Sequence, residues 1–80
     1  MTVSTAISMA LAKCGMSRAN LAVYMGMTPS ALGNKTSRQS WTAKDLVAVA
    51  RATGAQLHFV YPDGQVIIID EEDQKAEPEA

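Results

Sequence analysis

In the first half of the chain, apolar residues recur at three- and four-residue spacing. Val3, Ile7, Leu11 and Cys14 fall on one face of a helix predicted from about Ser4 to Cys14. Gly15 stops that helix, and Ser17 caps a second over about Arg18 to Met25. Gly26 closes the second, and Thr28 caps a third. Pro29 stands at the third helix's first position, where a missing N–H costs nothing. The third helix is predicted over about Pro29 to Lys35, and the stretch Asn34 to Ser40 (NKTSRQS) is unbroken polar sequence. Thr42 and Asp45 have the spacing of a capping box. They open a fourth helix whose apolar stripe is Leu46, Val47, Val49 and Ala50, and Gly54 ends it. Trp41, just before that cap, is read as plugging the core beneath the third helix rather than as a surface stacking platform.

After Gly54 the period becomes extended. QLHFVY and QVIII flank Pro62-Asp63-Gly64, a strong signal for a hairpin turn. Leu57, Phe59 and Tyr61 alternate onto one face, with His58 and Val60 on the other, while Val66 to Ile69 are apolar on both faces. A hairpin resting on a helical body needs only one apolar face. Both faces, or an edge, should therefore be covered, and a second subunit is the obvious cover. The expected dimer interface is Leu57, Phe59, Tyr61, Val66, Ile67 and Ile68. The fold class is mainly α: a small four-helix domain over 1–55, then a β-hairpin used for packing and dimerisation over 56–69. An acidic tail over 70–80, containing Pro78, is expected to be disordered.

Length sharpens the case for assembly. A chain of 80 residues makes one small domain that buries only about 60% of its unfolded surface, so its own core is marginal. One cysteine and no His/Cys cluster leave neither a disulfide nor zinc to reinforce it, and oligomerisation is the remaining device. No cofactor or metal is expected. Cys14, on the apolar stripe, is read as a buried inert thiol, and His58 as a half-buried polar residue rather than a ligand. No apolar run reaches membrane-spanning length, and the N-terminal residues lack the pattern of a signal peptide, so a cytoplasmic location is expected. A single His, a single Cys, no paired carboxylates within the domain and no Gly-rich phosphate loop argue against an enzyme.

The net charge of −1 conceals a segregation. Residues 1–44 hold no Asp or Glu against Lys13, Arg18, Lys35, Arg38 and Lys44. Residues 1–69 carry a net +4, and the last eleven, DEEDQKAEPEA, carry −5. A basic body with an acidic tail suits a nucleic-acid binder better than the average suggests.

Residues 17–36 then give that charge a geometry. Ala22 has no side chain beyond Cβ, Gly26 permits the left-handed backbone of a tight turn, and Leu32 lies about one turn into the next helix. Leu32 folding onto Ala22 and Leu21 would make two short helices cross steeply, which is a helix-turn-helix, and double-stranded DNA becomes the first partner to consider. A helix hairpin without a nucleic-acid role is the alternative reading.

Residues 4–60 resemble the Cro and phage-repressor (XRE-type) class of helix-turn-helix regulators. The segment MGMTPSALGNK resembles their turn and recognition helix, and the continuation TSRQSWTAKDLVAVARATGAQLHFVYPDG resembles small regulators of phages and mobile elements. The extension after the fourth helix is similar to that of persistence-type antitoxins, whose C-terminal strands pair across a dimer. The resemblance implies a transcription regulator, a repressor, binding an inverted-repeat operator as a homodimer. Arg18 then meets a phosphate from the start of helix two, and Thr28 another from the cap of helix three. Ser30, Gly33 and Asn34 face the major groove, while Lys35, Arg38 and Gln39 grip the backbone. Asn34 is the best base reader, because its amide can pair with adenine N6 and N7. Gly33 either allows close approach to the groove or marks a fraying helix end. Two positions depart from the family. Pro29 stands where a base-reading Gln is frequent, so that contact is absent. Lys35 replaces a frequently apolar residue, which directs it to solvent or phosphate rather than packing. The rival function is an antitoxin or inhibitor that engages another protein through the hairpin or the acidic tail.

Overall fold

The computed structural model describes residues 1–70. Four helices run in order: α1 (Val3–Cys14), α2 (Arg18–Met25), α3 (Pro29–Arg38) and α4 (Ala43–Thr53). A two-stranded antiparallel hairpin follows, β1 (Leu57–Val60) and β2 (Val66–Ile69). The chain is thus mainly helical with a C-terminal hairpin. The expected tail beyond Asp70 lies outside the described residues. Asp70 itself, expected to belong to that tail, is half-buried at the end of β2.

Each helix begins on a hydroxyl that satisfies an orphan backbone donor. Thr2, Ser17, Thr28 and Thr42 accept from the amides of Thr5, Asn20, Ala31 and Asp45. Thr42 and Asp45 form the full capping box, the Asp45 carboxylate accepting from the Thr42 amide at 2.9 Å. Gly26 closes α2 with φ 73°, and the amides of Gly26 and Met27 return to the carbonyls of Val23 and Ala22. That arrangement reverses the chain within two residues and needs the left-handed backbone.

The end of α3 differs from expectation. It continues through Thr36, Ser37 and Arg38 rather than stopping near Lys35. Three contacts sustain this polar turn. The Thr36 hydroxyl bonds the Leu32 carbonyl at 2.9 Å, and the Ser40 amide bonds the Lys35 carbonyl at 3.2 Å. Gln39 takes a left-handed backbone, φ 56°, where glycine stands at the other helix ends. Ser4 on α1 supplies the rest. Its hydroxyl donates to the Thr36 carbonyl at 2.8 Å and accepts from the Trp41 indole Nε1 at 3.1 Å, while the Gln39 side-chain carbonyl lies 3.3 Å from it.

The core gathers Ile7, Leu11, Leu21, Ala22, Leu32 and Val49, with Met25, Met27, Trp41 and Leu46 packed around it. Leu32 and Ala22 share this cluster, the close approach on which the α2–α3 reading rested, and Trp41 serves the core as expected. Cys14 does not. It is exposed, because the stripe Ile7–Leu11 meets the core only in the middle of α1 and its last turn extends beyond it. Val3, at the other end of that stripe, is also exposed, at 41%.

The hairpin pairs Leu57 with Ile69, His58 with Ile68, Phe59 with Ile67 and Val60 with Val66. Its turn is closed by the Gly64 amide on the Tyr61 carbonyl and the Gln65 amide on the Asp63 carboxylate, both at 2.9 Å. β1 packs on α4, and among the described residues no helix is long and apolar enough to cross a membrane.

Candidate nucleic-acid interface

α3 divides cleanly by face. Leu32 is buried and Ala31, Lys35 and Thr36 are half-buried toward the body. Ser30, Gly33, Asn34, Ser37 and Arg38 are exposed. Their spacing of three and four residues places these five on one outward stripe about two turns long. Ser37 was not among the residues singled out from the sequence. Its position seven after Ser30 would have found it, had α3 been read to its true end.

At the N-terminal end of α3 Thr28 takes the Ala31 and Leu32 amides and Pro29 has none, so the Ser30 amide is the one left to a ligand, with the positive end of the helix dipole behind it. Thr28 is exposed there. Its oxygen accepts from the Ala31 amide at 3.1 Å, which leaves the hydroxyl proton to donate elsewhere. Arg18, exposed at the start of α2, donates from Nη2 to the Ser8 hydroxyl at 3.2 Å, using one of its five N–H donors. Arg38 is exposed, and its side chain makes no ion pair or hydrogen bond among the described residues.

Two of the expected phosphate grippers are engaged within the protein. Lys35 is drawn inward, its ammonium 2.8 Å from the Asp45 carboxylate, and the two side chains are only 24% and 13% exposed. It therefore packs through an ion pair instead of pointing to solvent or phosphate. Gln39 turns its side-chain carbonyl to Ser4 on α1. Burial alone would raise the Asp45 pKa, but hydrogen bonds from Lys35 and Thr42 and the Lys35 charge outweigh it. The carboxyl is held below its usual range. Asp45 is thus a fixed anion whose field is cancelled locally, which limits its repulsion of a nearby phosphate.

Gly33 sits in the body of α3, not at a frayed end. A Cβ built on it meets nothing within 4 Å, so the protein itself gives no packing reason for glycine.

The hairpin residues behave as the sequence suggested in one respect. Phe59, Val60, Tyr61, Val66, Ile67 and Ile68 are between 43% and 65% exposed, on both faces of a two-stranded sheet. Leu57 differs, being half-buried against α4 within its own chain. His58 is exposed rather than half-buried, since it shares the outer face with Ile68. No cluster of His, Cys, Asp or Glu able to hold a metal occurs among the described residues.

The chain matches no protein-family model, no curated protein and no solved structure.

Proposed function

We propose that this protein is a sequence-specific double-stranded DNA-binding transcription regulator. On this reading it is a cytoplasmic repressor of phage or mobile-element type that binds an inverted repeat as a homodimer, with no catalytic activity and no cofactor. One observation carries the proposal: the outward stripe of α3, made of short polar side chains and ending in Arg38, on a helix pinned to α2 through Ala22 and Leu32. Short side chains let a helix approach base edges, and an arginine at the end of the stripe reaches phosphate. Arg18, Thr28 and the Ser30 amide at the start of α3 supply further phosphate contacts, so the helix is oriented before any base is read. Asn34, in mid-stripe, has the donor–acceptor pair that adenine presents in the major groove. The test is a mobility-shift titration with the DNA upstream of its own gene. A complex that survives excess scrambled duplex is expected, and absence of binding even at low salt overturns the proposal.

The exposed hairpin favours a second reading, an antitoxin or inhibitor whose apolar strands engage another protein. A second chain co-purifying in fixed stoichiometry would support that role. The two are compatible, since such a protein can also repress its own promoter.

A further inference from the structure

A second apolar surface lies away from α3. A groove of about 310 Å³ runs between α1 and α4 and is closed at one end by the first residue of β1. Val3, Ala6 and Ala10 form one wall, Leu46 and Val49 the other, and Leu57 the end; no charged side chain lines it. The small alanines leave it open to a large side chain from outside. Just past Leu57, the same chain presents Phe59 and its cross-strand partner Ile67, on the hairpin face that Leu57 shares.

We propose that this groove receives the Phe59–Ile67 face of the hairpin from a second copy of the chain, reciprocally about a two-fold axis. The inference deepens the dimeric part of the function proposed above and does not depend on DNA. Donor and acceptor surfaces adjoin at Leu57, so a single two-fold axis near that residue satisfies both contacts at once, as an isologous interface requires. The chain's own hairpin does not fill the groove, since β1 leaves it at Leu57 and Phe59 lies two residues further on, largely exposed. Area supports the same occupant. A large side chain offers roughly 150–250 Å² at most, so Phe59, Tyr61 and Ile67, the half-exposed residues of the docking face, present roughly 250 Å² per chain. The groove surface each face covers is of similar size, so two reciprocal contacts bury about 1,000 Å² in all, where specific interfaces begin. The docking face carries no charged side chain, His58 lying on the opposite face, so docking buries no unpaired ion.

The experiment uses the full chain at micromolar concentration, with light scattering to give mass. The wild type is expected at twice its 8.5 kDa chain mass. Ala6 is exposed on α1, so Ala6→Glu and Ala6→Lys leave the monomer folded, as circular dichroism would check. Each should weaken dimerisation about 100-fold, because both place a charge in an apolar contact. Phe59→Ser should do the same. An equimolar mixture of Ala6→Glu and Phe59→Ser chains should dimerise more tightly than either alone, since one intact hairpin then meets one intact groove. Isotope-filtered NOEs from the Phe59 ring of one chain to the Ala6 and Ala10 methyls of the other should appear in the wild-type dimer. A dimer indifferent to both Ala6 variants overturns the groove and leaves hairpin-to-hairpin pairing. A monomeric wild type overturns the dimer itself, and neither result touches the DNA titration.

Discussion

Asn34 and Arg38 are one turn apart on the same exposed stripe, yet they face different chemical problems. A phosphate looks alike at every position, whereas an adenine edge does not. Asn34→Ala should therefore cost about 1–3 kcal/mol on the preferred site and far less on scrambled duplex. Arg38→Ala or Arg18→Ala should weaken both and remove about 0.9 from the slope of log affinity against log salt. Titrating each variant on both DNAs at two salt concentrations checks this, and equal losses for Asn34→Ala would deny it a reading role. Asp45 makes a separate prediction. Its folded pKa lies below its unfolded one, so its stabilisation is complete above the unfolded value and is lost as pH falls through the folded one. Urea unfolding should find the wild type about 1 kcal/mol more stable than Asp45→Asn above pH 5, with the gap closing toward pH 2. A gap unchanged by acid would deny the ionised carboxylate that role. At this scale the caps Ser17, Thr28 and Thr42 were legible, because a hydroxyl three residues ahead of an amide is a local signal, whereas Thr2, the cap of α1, was not singled out. The inward turn of Lys35 was not, since its partner lies ten positions away on the next helix.

Among the elements, α3 carries the most information and was the least well bounded from sequence. Thr36 and Ser37 are weak helix formers, and what holds them is the Thr36 bond to Leu32 together with Ser4 on α1. Such support from a residue more than thirty positions away leaves no local trace. The longer helix changes the meaning of Gly33, which is now interior and open-sided. Gly33→Ala should raise folding stability by about 0.5–1 kcal/mol, as alanine for glycine does within a helix. On the proposed reading it should also weaken operator binding, because a methyl group would then stand where the backbone approaches the groove. Thermal unfolding and the mobility-shift titration separate the two effects. A variant that is stabilised and binds DNA unchanged would show that close approach is not why glycine is there. The hairpin was legible as an element because period and turn agreed. Which face Leu57 serves was not, since that depends on how α4 lies beneath it.

For the whole molecule, the separation of charge along the chain is the controlling feature. Residues 1–69 carry a net +4, and the eleven residues that follow in sequence carry −5. Truncation after Asp70 should leave the thermal transition in place, because the core and the helix caps seen among the described residues all precede that point. It should also tighten binding to scrambled DNA more than to the operator, since repulsion of phosphate acts alike on every sequence. Affinities of both chain lengths on both duplexes give the comparison. Loss of the transition on truncation would show that the acidic segment contributes to folding. The number of helices and the position of the hairpin were readable from periodicity together with the cap, glycine and turn residues. The α1–α4 groove was not, because it arises from three segments that meet only in space.

The hydrogen bond from Trp41 to Ser4 has an optical consequence. The chain has a single tryptophan, and its indole N–H is held by the same hydroxyl that anchors the last turn of α3 to α1. Excited selectively over the two tyrosines, its fluorescence therefore reports on the α1–α3 junction behind the outward stripe. Ser4→Ala should move the emission maximum while the helical circular dichroism persists. In the wild type, the same band should change when a ligand loads α3, so occupancy can be followed in unlabelled protein.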